Sequence, residues 1–235
     1  GDNIYVATVG TYSENVTITN KSLFIIAAIA DEQFTLSGSF TLSPGTGNEV
    51  TIIGMYNGNI TTSNSSYGTV NLISSFISSI SNTSGNLKMN VYDCEVTNSF
   101  VIDNGSVKGC TILGGLSISN DAGSTGDTIR IMGNHIENGL IWQSSSAYFE
   151  ICNNYIEKIS TSNGAKGIYI LSLKVTPGGT NLIANNTIKV QGYYTSSSST
   201  YGSQPIGIYF STSNGQNLVI ANNYIESVNT YTYYN

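Results

Sequence analysis

Short stretches in which apolar and polar residues alternate run along most of the chain. Apolar side chains recur at every second position in 50–55, 70–77 and 218–225. This alternation is typical of a β-strand that has one buried face and one wet face. The sequence shows no amphipathic helical segment of useful length, so the pattern predicts an all-β protein.

Six of these stretches resemble one another, and each ends at an apolar residue. The last four share a template of Ile, a small or variable residue, Gly or Asn, Asn, any residue, and Ile. The final apolar residues are separated by 16, 24, 20, 32 and 37 residues, which suits a solenoid whose loops vary in length. The six stretches are 92–96, 107–112, 131–136, 151–156, 183–188 and 220–225. The repeat predicts a single-stranded parallel β-helix, a solenoid of roughly ten coils.

The chain has 235 residues and a mass of 25.0 kDa, which suits one elongated domain. No linker-like segment divides it, so we expect a single β-helix domain over 1–235 with long loop inserts at about 157–182 and 189–217. Neither end carries a helix that would cap the unpaired strands of a solenoid. Since uncapped strand edges favour association, we expect a homo-oligomer or other structural subunits that cover the ends.

Charge excludes several kinds of partner. Only 9% of the residues are charged and the net charge is −6, with eight Lys and Arg residues in the whole chain. Nucleic-acid binding needs clustered basic side chains, so we expect no nucleic-acid partner. The sequence contains no apolar run long enough to span a bilayer, so we expect no membrane insertion. A surface rich in hydroxyls and tyrosine with little charge favours an extracellular location, on a cell surface or a virion surface.

One polar column is predicted inside the stack, two positions before each closing apolar residue. Stacked Asn side chains can pass hydrogen bonds from coil to coil, and Asn tolerates the left-handed backbone of tight turns. The predicted structural ladder consists of Ser75, Cys94, Cys110, Asn134, Asn154, Asn186 and Asn223. Cys94 and Cys110 fall in neighbouring coils, close enough for either a disulfide or a pair of free thiols. We interpret Cys152 as a small packing residue.

Charged residues follow the closing positions on the outward face. Glu137 and Glu157 are expected one coil apart, at a spacing like that of the carboxylates of a retaining glycosidase. A solvated row of surface charges, with Lys189 beside Glu157 or Glu226, is the better explanation. His135 is expected to point outward without an acidic partner. The segment 121–127 is either a Gly-rich turn or a small Ca²⁺ site. We favour the structural explanations, so no catalytic residue, metal site or cofactor is predicted.

Aromatic residues gather in the predicted inserts and near the C-terminal end. Aromatic rings combined with hydroxyl groups are suited to neutral sugars, and equally to contact with another subunit. The expected contact residues for glycans or subunits are Trp142, Tyr193, Tyr194, Tyr201, Tyr231, Tyr233 and Tyr234.

The opening segments G-D-N-I-Y-V-A at 1–7, G-T-Y-S-E-N-V-T-I at 10–18 and K-S-L-F-I-I at 21–26 resemble the first coils of the pectin-lyase-like right-handed parallel β-helix superfamily. The later I-x-N-N-x-I segments look like its middle coils. The resemblance implies a right-handed solenoid. It does not imply a reaction, because enzymes, adhesins and phage tail proteins share these motifs.

The local signatures of pectin methylesterases, polygalacturonases and pectate lyases are missing from the sequence. We therefore expect a non-catalytic structural or attachment β-solenoid like the surface, phage-tail or virion members of the superfamily. Its loops would face neighbouring subunits or glycans. The alternative is a polysaccharide lyase or glycoside hydrolase whose site lies near Glu137 and Glu157.

Overall fold

The computed structural model describes most of the chain, and at 193–195 and 229–232 it describes the backbone alone. The described residues are 1–7, 10–29, 32–63, 65–118, 128–143, 147–160, 165–174, 178–195, 204–211 and 217–232.

One face of the molecule is a sheet of ten parallel strands that follow one another in chain order. Each strand pairs with the equivalent strand of the next coil, so ten coils are stacked. The strands of this first sheet are β1 Asp2–Val6, β4 Leu23–Ala27, β7 Glu49–Ile53, β9 Gly68–Ile73, β11 Leu87–Tyr92, β14 Gly105–Lys108, β17 Thr128–Met132, β20 Tyr148–Cys152, β23 Asn181–Ala184 and β26 Leu218–Ala221.

The remaining strands are also parallel and form two further faces, which join where long strands bend. The strands of the second sheet are β2 Thr11–Tyr12, β5 Phe34–Leu36, β8 Met55–Thr61, β10 Phe76–Ser81, β12 Glu95–Val96, β15 Thr111–Ile112, β18 His135–Ile136, β21 Tyr155–Ser160, β24 Thr187–Thr195 and β27 Tyr224–Thr232. The third sheet comprises the second halves of β8 and β10 together with β3 Val16–Thr19, β6 Ser39–Ser43, β13 Phe100–Val101, β16 Leu116–Ile118, β19 Leu140–Trp142, β22 Lys166–Ile170 and β25 Ile206–Phe210. The predicted all-β parallel β-helix is confirmed.

Each middle coil turns through two tight corners. The coil that contains β17, β18 and β19 leaves the first sheet at Gly133 and Asn134 and leaves the second sheet at Asn138 and Gly139. Gly133, Asn138 and Gly139 have positive φ angles of 66°, 64° and 80°, a backbone region that Gly and Asn enter at low cost. One or two Gly or Asn residues are therefore enough to form each corner. The corners determine which side chains of the flanking strands point inward and which point outward.

The inside of the stack is a continuous apolar core. Ile131, Ile151 and Ile183 are fully buried in successive coils of the first sheet. Ile136, Ile156 and Ile188 form the same kind of row in the second sheet. Burying a side chain of this size contributes about 1.5–3 kcal/mol. The core therefore fixes the register of the coils and holds their outer faces rigid.

The two segments predicted as long loop inserts contain strands. The strand Lys166–Ile170 pairs with β19, and the strand Ile206–Phe210 pairs with Lys166–Ile170. Both are therefore ordinary members of the third sheet. The irregular spacing of the repeat comes instead from connections of different length, some of which lie outside the described residues. No helix among the described residues is long and apolar enough to cross a membrane.

Candidate functional site

The predicted ladder lies at the corner between the first and second sheets, and its amides are buried. The Oδ1 atom of Asn154 accepts two hydrogen bonds from Asn134, one from the backbone N at 3.0 Å and one from the side-chain Nδ2 at 2.9 Å. The Nδ2 atom of Asn154 donates to Ile131 O at 2.9 Å and to Asn186 Oδ1 at 3.0 Å. Asn186 repeats the pattern with Asn223 as its acceptor, and the Nδ2 atom of Asn223 donates to Ile183 O and Ala221 O. The amides of Asn154 and Asn186 are thus satisfied by the coils on either side, which gives the column a structural role.

The residue before each ladder position makes the corner. It has a positive φ in every coil from Ser74 onward, a conformation in which non-Gly residues are uncommon. The φ angles are 46° at Ser74, 53° at Asp93, 67° at Gly109, 66° at Gly133, 58° at Asn153, 56° at Asn185 and 53° at Asn222. In the Asn-Asn pairs of the template the first Asn therefore turns the backbone, and the second forms the ladder.

The smaller members of the column follow the same geometry. Ser75 Oγ accepts a hydrogen bond from Met55 N at 3.1 Å, and Cys110 N donates to Asn134 Oδ1 at 2.9 Å. Cys94, Cys110 and Cys152 are free thiols. The hydrogen bond with Cys110, together with burial, raises the pKa of Cys94, and the same hydrogen bond lowers the pKa of Cys110.

Polar side chains stand together on the outer face of the second sheet; we call His135, Glu137, Tyr155 and Glu157 the His–Glu cluster. His135 pairs directly with Tyr155 across β18 and β21. Side chains two residues apart on a strand point to the same face, which places Glu137 beside His135 and Glu157 beside Tyr155. Ligand atoms of the imidazole and of both carboxylates lie within 4.8 Å of one another.

The cluster has defined internal contacts. The imidazole of His135 meets the ring of Tyr155 edge-on, with centroids 4.9 Å apart and an interplanar angle of 84°. The Tyr155 hydroxyl donates to Glu157 Oε2 at 3.2 Å. Burial and the Glu157 carboxylate raise the pKa of Tyr155, so its hydroxyl stays a donor. The other oxygen, Glu157 Oε1, lies 3.8 Å from His135 Nε2. His135 therefore has an acidic neighbour that the repeat alone does not predict.

Nearby charges are arranged in pairs. Lys189 Nζ lies 3.6 Å from Glu226 Oε2, so of the two predicted partners of Lys189 it is Glu226 that forms the ion pair. Arg130 Nε donates to Glu150 Oε2 at 2.9 Å on the outer face of the first sheet. Arg130 therefore does not converge with the His–Glu cluster, which belongs to the second sheet.

A second outward surface, which we call the tyrosine face, follows the third sheet. It consists of Ser117, Ile141, Tyr169 and Tyr209, which pair in that order from coil to coil, together with Lys166. The rings of Tyr169 and Tyr209 lie 5.3 Å apart, at 59° to each other. The Nζ atom of Lys166 is 4.0 Å from the first ring centroid and 4.5 Å from the second. This geometry is that of two cation–π contacts, which hold the rings in place.

A groove of about 370 Å³ runs beside the tyrosine face at the corner between the second and third sheets. We call it the corner groove. Ser117 and Ile141 belong to both surfaces, and Ser99, Asn138 and Lys158 supply further polar groups along the groove. Among its described lining residues Lys158 is the one charged side chain. The surface therefore offers hydroxyl, amide and ammonium groups next to aromatic rings.

The prediction that Trp142 is a surface contact residue is wrong. It is fully buried, and its indole packs edge-on against Phe149 with centroids 4.8 Å apart. Leu140 and Trp142 share the inward phase of β19, and Ile141 between them points outward. The same alternation in the sequence could have shown this. The side chains of Tyr193, Tyr194 and Tyr231, all of Tyr201, Tyr233 and Tyr234, and the segment 121–127 lie outside the described residues.

Tyr169, Tyr209 and Lys166 were not predicted as contacts. Tyr169 and Tyr209 occupy equivalent places in G-I-Y-I at 167–170 and G-I-Y-F at 207–210, so a repeat search within the assumed inserts would have paired them. No protein-family model, curated protein or solved structure matches the chain.

Proposed function

We propose that the protein is a structural or attachment β-solenoid of a cell or virion surface that binds glycans. The observation that carries this proposal is the tyrosine face beside the corner groove. Tyr169 and Tyr209 present half-buried rings at a fixed spacing, and the groove adds hydroxyl and amide groups at its edge. Sugar rings pair apolar C–H faces with many hydroxyls, so they suit a surface that combines aromatic and polar groups.

Rigidity supports recognition by this surface. Tyr169 lies between Ile168 and Ile170, which are fully buried. Tyr209 lies between Ile208 and Phe210, which are half-buried and pack against the core. Binding groups held by a packed scaffold lose little conformational entropy when a ligand binds. The two ammonium groups of Lys158 and Lys166 favour glycans that present a carboxylate or several hydroxyls toward this side.

Contact with other subunits is the second part of the proposal. Val219, Ile220, Ile225 and Val228 are between 44% and 48% exposed and lie on β26 and β27. Val219 and Val228 point outward from their strands, and exposed apolar side chains are suited to protein contact. These residues support assembly with further copies or with other structural subunits.

We also assign the fold to the pectin-lyase-like superfamily. The opening motif provides β1 to β4, and the I-x-N-N-x-I segments provide the corners that carry the ladder. These features support the assignment because they tie the resembling residues to equivalent places in successive coils. An experimental structure that shows a left-handed turn of the coils would overturn it.

The glycan proposal is tested with a glycan array and a double variant, Tyr169→Ala with Tyr209→Ala. We expect the native protein to bind a defined set of glycans. The variant should bind the same glycans at least about tenfold more weakly, because both ring contacts are lost. Tyr56→Ala is the matched control, since Tyr56 stacks on Phe76 at 4.8 Å in another part of the stack. Equal loss in the control, or undiminished binding by the double variant, would overturn the proposal.

A polysaccharide-active enzyme is the second candidate. It is favoured by the spacing of Glu137 and Glu157, whose carboxylates lie within 4.8 Å of each other, close to the distance of about 5 Å in retaining glycosidases. Both carboxylates project from the outer face of the second sheet, where Glu157 lines a pocket of about 200 Å³ together with Lys189 and Glu226. This candidate predicts cleavage of a polysaccharide that Glu137→Gln or Glu157→Gln abolishes.

A further inference from the structure

We propose that His135, Glu137 and Glu157 bind a divalent transition-metal ion of the Zn²⁺ class on the outer face of the second sheet. One imidazole nitrogen and two carboxylates are ligands that Zn²⁺ takes in proteins. Their ligand atoms lie within 4.8 Å of one another. In the tetrahedral coordination that Zn²⁺ usually adopts, two ligands are about 3.4 Å apart, so rotations of these partly exposed side chains would draw the three ligand atoms together around the ion.

The imidazole supplies an observation that points to a ligand. The Nε2 atom of His135 is covered from solvent and has no hydrogen-bond partner. Its nearest acidic oxygen, Glu157 Oε1, is 3.8 Å away, beyond hydrogen-bonding distance. A covered polar atom without a partner is costly. An ion held between the nitrogen and the carboxylates would satisfy it.

Tyr155 prepares the cluster for this role. Its ring fixes the imidazole edge-on, and its hydroxyl donates to Glu157 Oε2 at 3.2 Å. Metal-binding carboxylates are commonly oriented by such a hydrogen bond, which leaves the second oxygen for the ion. In this cluster the second oxygen is the one that lies toward His135.

Local charge also favours a cation. Two carboxylates stand beside one imidazole. Lys189 is the register partner of Glu157 across β21 and β24, but its ammonium group lies 3.6 Å from Glu226. A divalent ion would balance the two carboxylates. Ca²⁺ and Mg²⁺ prefer oxygen ligands throughout, so the imidazole selects for Zn²⁺-like ions. Three protein ligands leave one position for water or another oxygen ligand.

This inference goes beyond the proposed attachment function, because the His–Glu cluster and the tyrosine face lie on different sheets. Each can fail without the other. Glycan binding that survives the loss of metal binding would separate the two experimentally.

The test is a calorimetric titration of the full chain with ZnCl₂ near pH 7.5, with CaCl₂ and MgCl₂ as comparison ions. We expect one Zn²⁺ per chain and weaker binding of the other two ions. His135→Ala and Glu157→Gln should each weaken Zn²⁺ binding at least about tenfold, and Tyr155→Phe should weaken it by about tenfold through the lost orienting hydrogen bond.

Glu95→Gln is the matched control, since Glu95 is a half-buried carboxylate on β12 of the same sheet. It should bind Zn²⁺ like the native protein. Crystals soaked in Zn²⁺ should show an anomalous peak between His135 and Glu157. Absence of Zn²⁺ binding, undiminished binding by His135→Ala, or a peak elsewhere in the molecule would overturn the proposal.

Discussion

At the scale of single residues, two neighbouring asparagines have different structural roles at a corner of the solenoid. Asn153 adopts a φ of 58° and turns the backbone, while Asn154 donates and accepts the hydrogen bonds that join three coils. The side chain of Asn153 is exposed, and that of Asn154 is buried. Substitutions at the two positions should therefore have different consequences although the residue type is the same.

Asn154→Leu should lower the free energy of unfolding by about 1–3 kcal/mol, because it strands buried partners in the coils on both sides. The change is measured by chemical denaturation followed by circular dichroism. Asn153→Gly is the control, and it should alter stability by less than about 0.5 kcal/mol, since Gly enters the same backbone region freely. Equal stability of Asn154→Leu and the native chain would contradict the ladder's structural role.

The sequence predicted this column because each Asn occupies the same place in a repeated template. It also placed Glu137, Glu157 and His135 on the outward face. It could not predict the contact between His135 and Glu157, since that depends on how two flexible side chains turn above the sheet. The edge-on packing of Tyr155 against His135 is likewise a property of three-dimensional register.

At the scale of elements, the third sheet is built from short strands that follow connections of variable length. The repeat template covers the first and second sheets only, so it predicts loops where the strands Lys166–Ile170 and Ile206–Phe210 lie. The prediction that Trp142 is a contact residue rests on its aromatic side chain alone and is wrong. Its burial follows from the alternation of Leu140, Ile141 and Trp142 along β19.

Trp142→Ala should destabilise the protein by about 3–5 kcal/mol, because it leaves a large cavity beside Phe149. Ile141→Ala on the opposite face of the same strand is the matched control, since Ile141 is 38% exposed. We expect the control to cost less than about 1 kcal/mol. Thermal unfolding of both variants provides the comparison, and similar losses in the two would contradict the inward position of Trp142.

At the scale of the whole molecule, stacking places the residues that stabilise the fold inside and the proposed binding groups outside. The inside is a continuous apolar column with a polar ladder at one corner, while the outer faces carry the tyrosine face and the His–Glu cluster. Stability comes from the inward positions, so outward residues can vary without loss of the fold. This is the arrangement expected of a rigid scaffold that displays binding groups.

We propose that the solenoid binds glycans without cleaving them. In the most sensitive experiment, the native protein is incubated with a panel of polysaccharides, and retention by affinity electrophoresis and new reducing ends are measured in the same samples. We expect that at least one polysaccharide is retained and that no reducing ends appear. Retention of none would contradict glycan binding, and new reducing ends that vanish in Glu157→Gln would show that the outer face is catalytic.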